Sequence, residues 1–264
     1  MDLRQVIADH YGPMTAAAYD RMAATYFWAY DETLGAIAAE LLFGRRPGPA
    51  REASVPHRIL DIGTGTGNLA ARIIAERERV LSWEGLDPQS SPLEILAVDG
   101  SPHMLEQARA KLERSPGVTL NTQICRIQDL PQTLEGRSFD AIVSSFAIHH
   151  LSGTEKAELF RGLRRLLNPQ GLLIIGDRVE GPRDYHAVVA QKFHELFRTQ
   201  GLNPSLDAVM TDLDRGFERD GDQPSSIEDH LRWLTDAGFA EARCPFQSFG
   251  CAVVSGRASS GHPA

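Results

Sequence analysis

The sequence predicts an α/β fold, a parallel sheet with helices packed on both faces. Three observations carry this. Apolar runs suited to buried strands alternate with helical patterns from residue 57 to 177. The first run, Ile59-Leu60-Asp61-Ile62, enters a turn in which Gly63, Gly65 and Gly67 occupy alternate positions before an apolar helical pattern begins. A second run, Ile95-Leu96-Ala97-Val98-Asp99, ends in a carboxylate and is followed by Gly100-Ser101-Pro102.

Element by element, residues 14 to 43 carry helical periodicity, with Tyr19, Met22, Tyr26 and Tyr30 three or four apart. Gly44 closes that pattern, and Arg45-Arg46-Pro47-Gly48-Pro49 cannot continue a helix, so a linker is expected at about 44–56. Strands are expected at 58–62, 95–99, 119–125, 139–145 and 171–177, with helices at 66–79, 102–114, 154–167 and 183–200. The stretch 81–94, with Pro88 and Pro92, reads as an inserted loop. Residues 201–224 are polar and rich in Asp, Gly and Pro, as an irregular or partly helical cap would be. Ser225-Ser226-Ile227-Glu228 has a capping-box pattern opening a helix that runs to Ala237 and stops at Gly238. Cys251-Ala252-Val253-Val254 is the last expected strand. The units are therefore 1–56, an N-terminal helical segment and linker; 57–178, the core; 179–224, a cap; 225–257, completion of the core; and 258–264, a disordered tail.

A glycine-rich turn at a helix N-terminus gathers backbone N–H groups where the helix dipole is positive, and glycine lets the chain approach a ligand closely. The spacing here is G-x-G-x-G. A dinucleotide fingerprint needs G-x-G-x-x-G/A, and its third position falls on Asn68. The loop therefore suits a nucleoside carrying an amino acid better than a pyrophosphate. Asp99 can accept hydrogen bonds from both ribose hydroxyls. It lies 38 residues after Asp61 rather than about 20, which the inserted loop explains. Asp87 is nearer, but it precedes a proline and ends no apolar run.

Together these residues resemble the class I S-adenosylmethionine-dependent methyltransferases, and the resemblance continues in order along the chain. Gln128-Asp129-Leu130-Pro131 is similar to the family's third motif, whose acid meets the adenine amino group. Ser138 to Leu151, including Ser145, His149 and His150, is similar to the fourth strand and the segment facing the methyl donor. Leu166 to Asp177 is similar to the following turn and fifth strand, and Tyr19 to Tyr26 to the lid helix of small-molecule members such as the ubiquinone and menaquinone methyltransferases. The resemblance implies a three-layer αβα, Rossmann-like sheet of seven strands with an antiparallel last strand, an N-terminal helical lid and a helical cap after strand five. It implies S-adenosyl-L-methionine as donor and S-adenosyl-L-homocysteine as product. The residues it assigns to the donor are Tyr26, Asp61, Gly63, Gly65, Gly67, Asp99, Gly100, Met104, Gln128, Asp129 and Ser145. Gln128 departs from the pattern, since many relatives have glycine or alanine before the acid.

Composition narrows the partners. No run of 18 apolar residues exists, so no membrane span is expected, and Met1-Asp2-Leu3-Arg4-Gln5 lacks a signal-peptide layout. Three cysteines, Cys125, Cys244 and Cys251, show neither C-x-x-C spacing nor a disulfide framework, as in a reduced, cytoplasmic protein. A net charge of −8 disfavours a nucleic-acid substrate, because nucleic-acid binders usually carry a basic patch. The expected partner is a small-molecule methyl acceptor, modified at O, N or C by a monomer or homodimer.

Methyl transfer from a sulfonium is an in-line displacement that needs no metal. His149 and His150 are the catalytic candidates, because imidazole titrates near neutrality and serves as a general base when the acceptor must lose a proton. The alternative is that they only shape the pocket. Asp177, Arg178, Tyr185, His186 and His194 fall where the acceptor should bind. His149, His150 and Asp177 lack metal-motif spacing, so no metal site is expected. Three other functions remain open. One is a nicotinamide-dependent dehydrogenase sharing the glycine turn, and another is a donor-binding protein without transfer activity. The third is a tRNA wobble-uridine enzyme using a carboxylated donor, whose members are similar over Trp233 to Phe239 and Phe246 to Gly250.

Overall fold

The computed structural model describes residues 19–20, 23, 27, 29–44, 57–181, 185–199, 205–209, 211 and 221–259. Helix α1 (Tyr30–Phe43) leads to strand β1 (Arg58–Ile62), helix α2 (Asn68–Trp83), β2 (Leu93–Asp99) and α3 (Pro102–Leu112). There follow β3 (Val118–Ile124), the single turn α4 (Leu130–Thr133), β4 (Phe139–Ser145), α5 (Gly153–Arg165) and β5 (Leu167–Arg178). Helices α6 (Tyr185–Thr199) and α7 (Ile227–Asp236) precede β6 (Phe239–Ser248) and β7 (Cys251–Ala258).

The seven strands form one sheet in the order β3-β2-β1-β4-β5-β7-β6. All neighbours pair in parallel except β7, which runs against both β5 and β6. Alternation along the strands divides the core. Leu60, Ile62, Leu96 and Val98 face one layer with α5 and α7, while Ile59, Ile95, Ala141 and Val143 face the other with α1 and α2. Burial on both faces explains why the parallel strands read as unbroken apolar runs. The strand order reverses between β1 and β4, which opens a crevice beyond their carboxyl ends.

Several boundaries differ from the sequence reading. Helix α2 runs on to Trp83, and the expected insert contains one 3₁₀ turn at Pro88–Ser90 whose cap is Asp87, accepting from Gln89 N–H at 3.0 Å. Strand β5 starts at Leu167, because Leu167 pairs with Phe139 across a register shift before Gly171. The cap of α7 is Ser226, whose hydroxyl accepts from Asp229 N–H at 3.1 Å; Ser225 instead accepts from Lys156. Ala258 is buried within β7 and pairs with Phe239, so the last strand extends through the start of the expected tail. Strand β6 has no counterpart in the sequence reading. Glu241 in the left-handed region, Pro245 and two register shifts hide its period, as an edge strand tolerates. Among the described residues, no helix is long and apolar enough to cross a membrane.

Candidate active site

The crevice begins where β1 ends. Asp61 is 1% exposed; its Oδ2 accepts from the Thr64 hydroxyl at 2.5 Å, while its Oδ1 has no partner among the described residues. Burial pushes this carboxyl up to about 7, against the pull of the Thr64 hydroxyl and with the help of the nearby Asp99 charge. Gly63 has φ +62°, and a Cβ there would sit 2.4 Å from the Cβ of Ala147. Gly65 has φ +54°, and among the described residues a Cβ there would come within 4 Å of Tyr19 alone, at 3.9 Å. Both positions demand glycine for their left-handed backbone, and Gly63 also for its close approach to the β4 loop. Gly67, also left-handed, caps α2.

Asp99 ends β2 facing the same turn. Its carboxylate accepts from Gly65 N–H at 2.9 Å and from Ser101 N–H at 2.8 Å. Burial pushes its pKa up, offset in part by the N–H groups of Ser101, Gly65 and Gly100. Ser101 caps α3, and Met104 is buried in that helix's first turn. Ile127 lies within reach of Gly63, so the 3₁₀ turn Ile127–Asp129 borders the glycine loop. Gln128 there is half-buried and hydrogen-bonds Glu155, while the Asp129 side chain is 57% exposed and 3.9 Å from Arg126. Tyr26 lies outside the described residues, as do the side chains of Tyr185 and His186.

The N-terminal segment is tied to this turn. Asp20 accepts from Thr66, Asn68 and Lys111 at 2.5, 3.0 and 2.9 Å. Burial raises its pKa, but those three bonds outweigh burial and hold it below the usual carboxylate range.

A second cluster lies beyond β4 and β5. Ser144 donates to the Ile62 carbonyl at 2.8 Å, and Ser145 is half-buried at the strand end. Phe146 follows with φ +49°, a strained conformation for an aromatic residue. Its ring stacks on Phe27 at 4.5 Å and on Tyr30 at 5.2 Å. Next, Ile148–His150 forms a 3₁₀ turn. Asp177, fully buried, accepts from Ile148 and His149 N–H at 2.8 and 3.0 Å, and its Oδ1 lies 2.5 Å from His149 Nδ1. Burial raises the Asp177 carboxyl, but His149, Arg178 N–H and His150 bring it below its ordinary value. Asp222 lies on the other side of the histidines, 3.5 Å from His149 Nε2 and 3.2 Å from His150 Nδ1, and pairs with Arg178 through Oδ2. Lys156 donates to the Gln223 carbonyl and the Ser225 hydroxyl, and Gln223 N–H donates to the His149 carbonyl at 2.6 Å. Phe27 also lines a cavity of about 370 Å³, with Tyr30, Asp31, Glu32, Lys192 and Phe246. The Phe27 ring meets His149 edge-on at 6.1 Å.

The structure thus gathers Asp61, Gly63, Gly65, Asp99 and Gly100 at one turn, with Met104 buried behind it, and gathers His149, His150 and Asp177 at another. Sequence reasoning passed over Asp222, Lys156 and Thr64. Asp222 stands in a polar stretch 72 residues beyond His150, and no local spacing links them. Thr64 lies inside the glycine motif, where the only signal was a hydroxyl three residues after a buried carboxylate.

Residues 60–173 match the family model of a methyltransferase domain. That stretch of the chain is a methyltransferase domain by this match. An uncharacterised methyltransferase of Oceanobacillus iheyensis is 27% identical over 161 residues, 61% of each protein. The chain spans about three-fifths or less of the length of such curated relatives. A carboxy-S-adenosyl-L-methionine synthase of Hahella chejuensis is 23% identical over 247 residues, covering 87% of this chain and 92% of the relative. Among solved structures, phosphoethanolamine N-methyltransferase 2 of Haemonchus contortus, in complex with S-adenosyl-L-methionine, superposes with a TM-score of 0.56. Identity there is 20%, over 92% of this chain and 46% of the other, so the likeness is one of fold.

Proposed function

We propose that the protein uses its methyltransferase domain to move the methyl group of S-adenosyl-L-methionine onto a small acceptor. One observation carries the reading. Among the described residues the buried Asp61 Oδ1 has no hydrogen-bond partner, and Asp61 leads into the turn of Gly65, whose N–H meets the Asp99 carboxylate. A buried carboxylate oxygen without a donor is costly, and a ligand ammonium group would satisfy it. Asp99, at the end of the neighbouring strand, would take the ribose hydroxyls. The 127–129 turn and Met104 would flank the base, with Tyr26 and Ser145 completing the enclosure. The donor supplies an electrophilic methyl group on a sulfonium, and the remaining work is to hold an acceptor in line with it. His150, one-third exposed beside Asp222, would act on the acceptor, while His149 is held by Asp177.

Mass spectrometry of ligands released from the denatured protein tests the reading, with S-adenosyl-L-methionine or S-adenosyl-L-homocysteine expected. A nicotinamide dinucleotide would contradict it. A carboxylated donor would favour a second reading, motivated by the near full-length match to carboxy-S-adenosyl-L-methionine synthases. His150→Ala should lower the release of S-adenosyl-L-homocysteine by up to ~100-fold when an acceptor is present. Unchanged release would reduce His150 to a wall of the pocket.

A further inference from the structure

The acceptor-side cluster has the dimensions of a metal centre. His149, His150 and Asp222 each offer a ligand atom within 4.8 Å of the others, and His149 Nε2 and His150 Nδ1 stand 3.5 and 3.2 Å from Asp222 Oδ1. The Asp222 side chain is 5% exposed, Arg178 takes its Oδ2, and its Oδ1 faces His149 and His150. A positive group therefore belongs between that oxygen and the rings. The His150 contact is at the long end of an N–H···O hydrogen bond and the His149 contact is beyond it. Donor atoms bound about 2.0–2.1 Å from a tetrahedral zinc ion stand about 3.3–3.4 Å apart, between the two observed values.

His149 is also prepared as a ligand. Its Nδ1 lies 2.5 Å from Asp177 Oδ1, which keeps the ring proton there and turns the Nε2 lone pair toward Asp222. A carboxylate behind a histidine fixes ring and tautomer in this way in metal sites. Two imidazole nitrogens and one carboxylate oxygen suit zinc and its transition-metal neighbours, not magnesium or calcium.

We propose that His149 Nε2, His150 Nδ1 and Asp222 Oδ1 bind one divalent ion of the zinc class, with Asp177 as the positioning carboxylate. Three protein ligands leave a fourth coordination position, and with Nδ1 on the ion His150 would act on the acceptor through that ion rather than as a proton acceptor. The ion and Arg178 together outweigh the charge of Asp177 and Asp222, so that position favours an anionic oxygen, such as a deprotonated hydroxyl or a carboxylate of the acceptor. This last step rests on the methyl-transfer reading; the binding of the ion rests on the side chains alone.

The test uses the full chain, stripped with a chelator and then titrated with Zn²⁺ alone, with metal content read after gel filtration. Close to one tightly held equivalent per chain is expected. It should be lost in Asp222→Asn and in His150→Ala, and Asp177→Asn should bind about 10–100-fold more weakly. Co²⁺ should give the visible spectrum of a tetrahedral site in the wild type and not in His150→Ala. The partly exposed His150 keeps the test available where Asp222→Asn does not fold, as circular dichroism will report. No tight equivalent in the wild type, or equal uptake in His150→Ala, overturns the proposal. Neither donor nor acceptor enters the assay, so its failure leaves methyl transfer standing, and failure of methyl transfer leaves the ion.

Discussion

At Asp61 the fold holds a carboxyl group away from water, supported among the described residues by the Thr64 hydroxyl. Its folded pKa of about 7 exceeds the unfolded value of 3.8, so the native ligand-free protein holds that proton more tightly. The unfolded chain gives up the proton first, and this group's contribution to stability, complete below about pH 4, is lost as pH rises toward 7. The difference in denaturation midpoint between wild type and Asp61→Asn, measured without ligand, should therefore shift against the wild type across that window. Parallel curves would show that Asp61 is not the buried acid described. Asp61, the glycines and Asp99 were legible in the sequence because strand, turn and acid are contiguous and each obeys a local rule. Asp222 was not, since its meeting with His149 and His150 depends on where the chain returns after α6.

Among the elements, the junction of α5 with the 222–225 segment matters most to the second cluster. Lys156 lies in the first turn of α5, yet it is buried, and its ammonium bonds the Gln223 carbonyl and Ser225 hydroxyl. Lys156→Met keeps the aliphatic bulk and leaves both acceptors unpaired. It should destabilise the protein by about 1–3 kcal/mol in denaturant unfolding and weaken the uptake of Zn²⁺. Unchanged stability would mean that Gln223 and Ser225 have other partners to turn to. Helix α1 is secured differently, by Glu40 accepting from Arg243 at 2.7–2.9 Å and from Ser255 at 2.6 Å. Helices and parallel strands were legible because apolar periodicity and caps are local. Strand β6 was not, because it is half solvated, bulged and interrupted by Pro245, so it depends on β7 for definition.

For the whole molecule, the alternation of strand and helix was enough to anticipate a parallel sheet, and the reversal of strand order at β1 and β4 puts both clusters at its carboxyl edge. The acceptor was not legible, because the surroundings proposed for it come from α1, the segment after α6 and the end of β6, far apart in the chain. The central claim is that the glycine turn and Asp99 form a site for a nucleoside bearing an amino acid. Isothermal titration of S-adenosyl-L-homocysteine and, separately, NAD into wild type and Asp99→Ala tests it most directly. One binding event is expected with S-adenosyl-L-homocysteine, weakened by roughly 1–3 kcal/mol in Asp99→Ala, and no heat with NAD. Tight binding of NAD without binding of S-adenosyl-L-homocysteine, or equal affinity in Asp99→Ala, would contradict it.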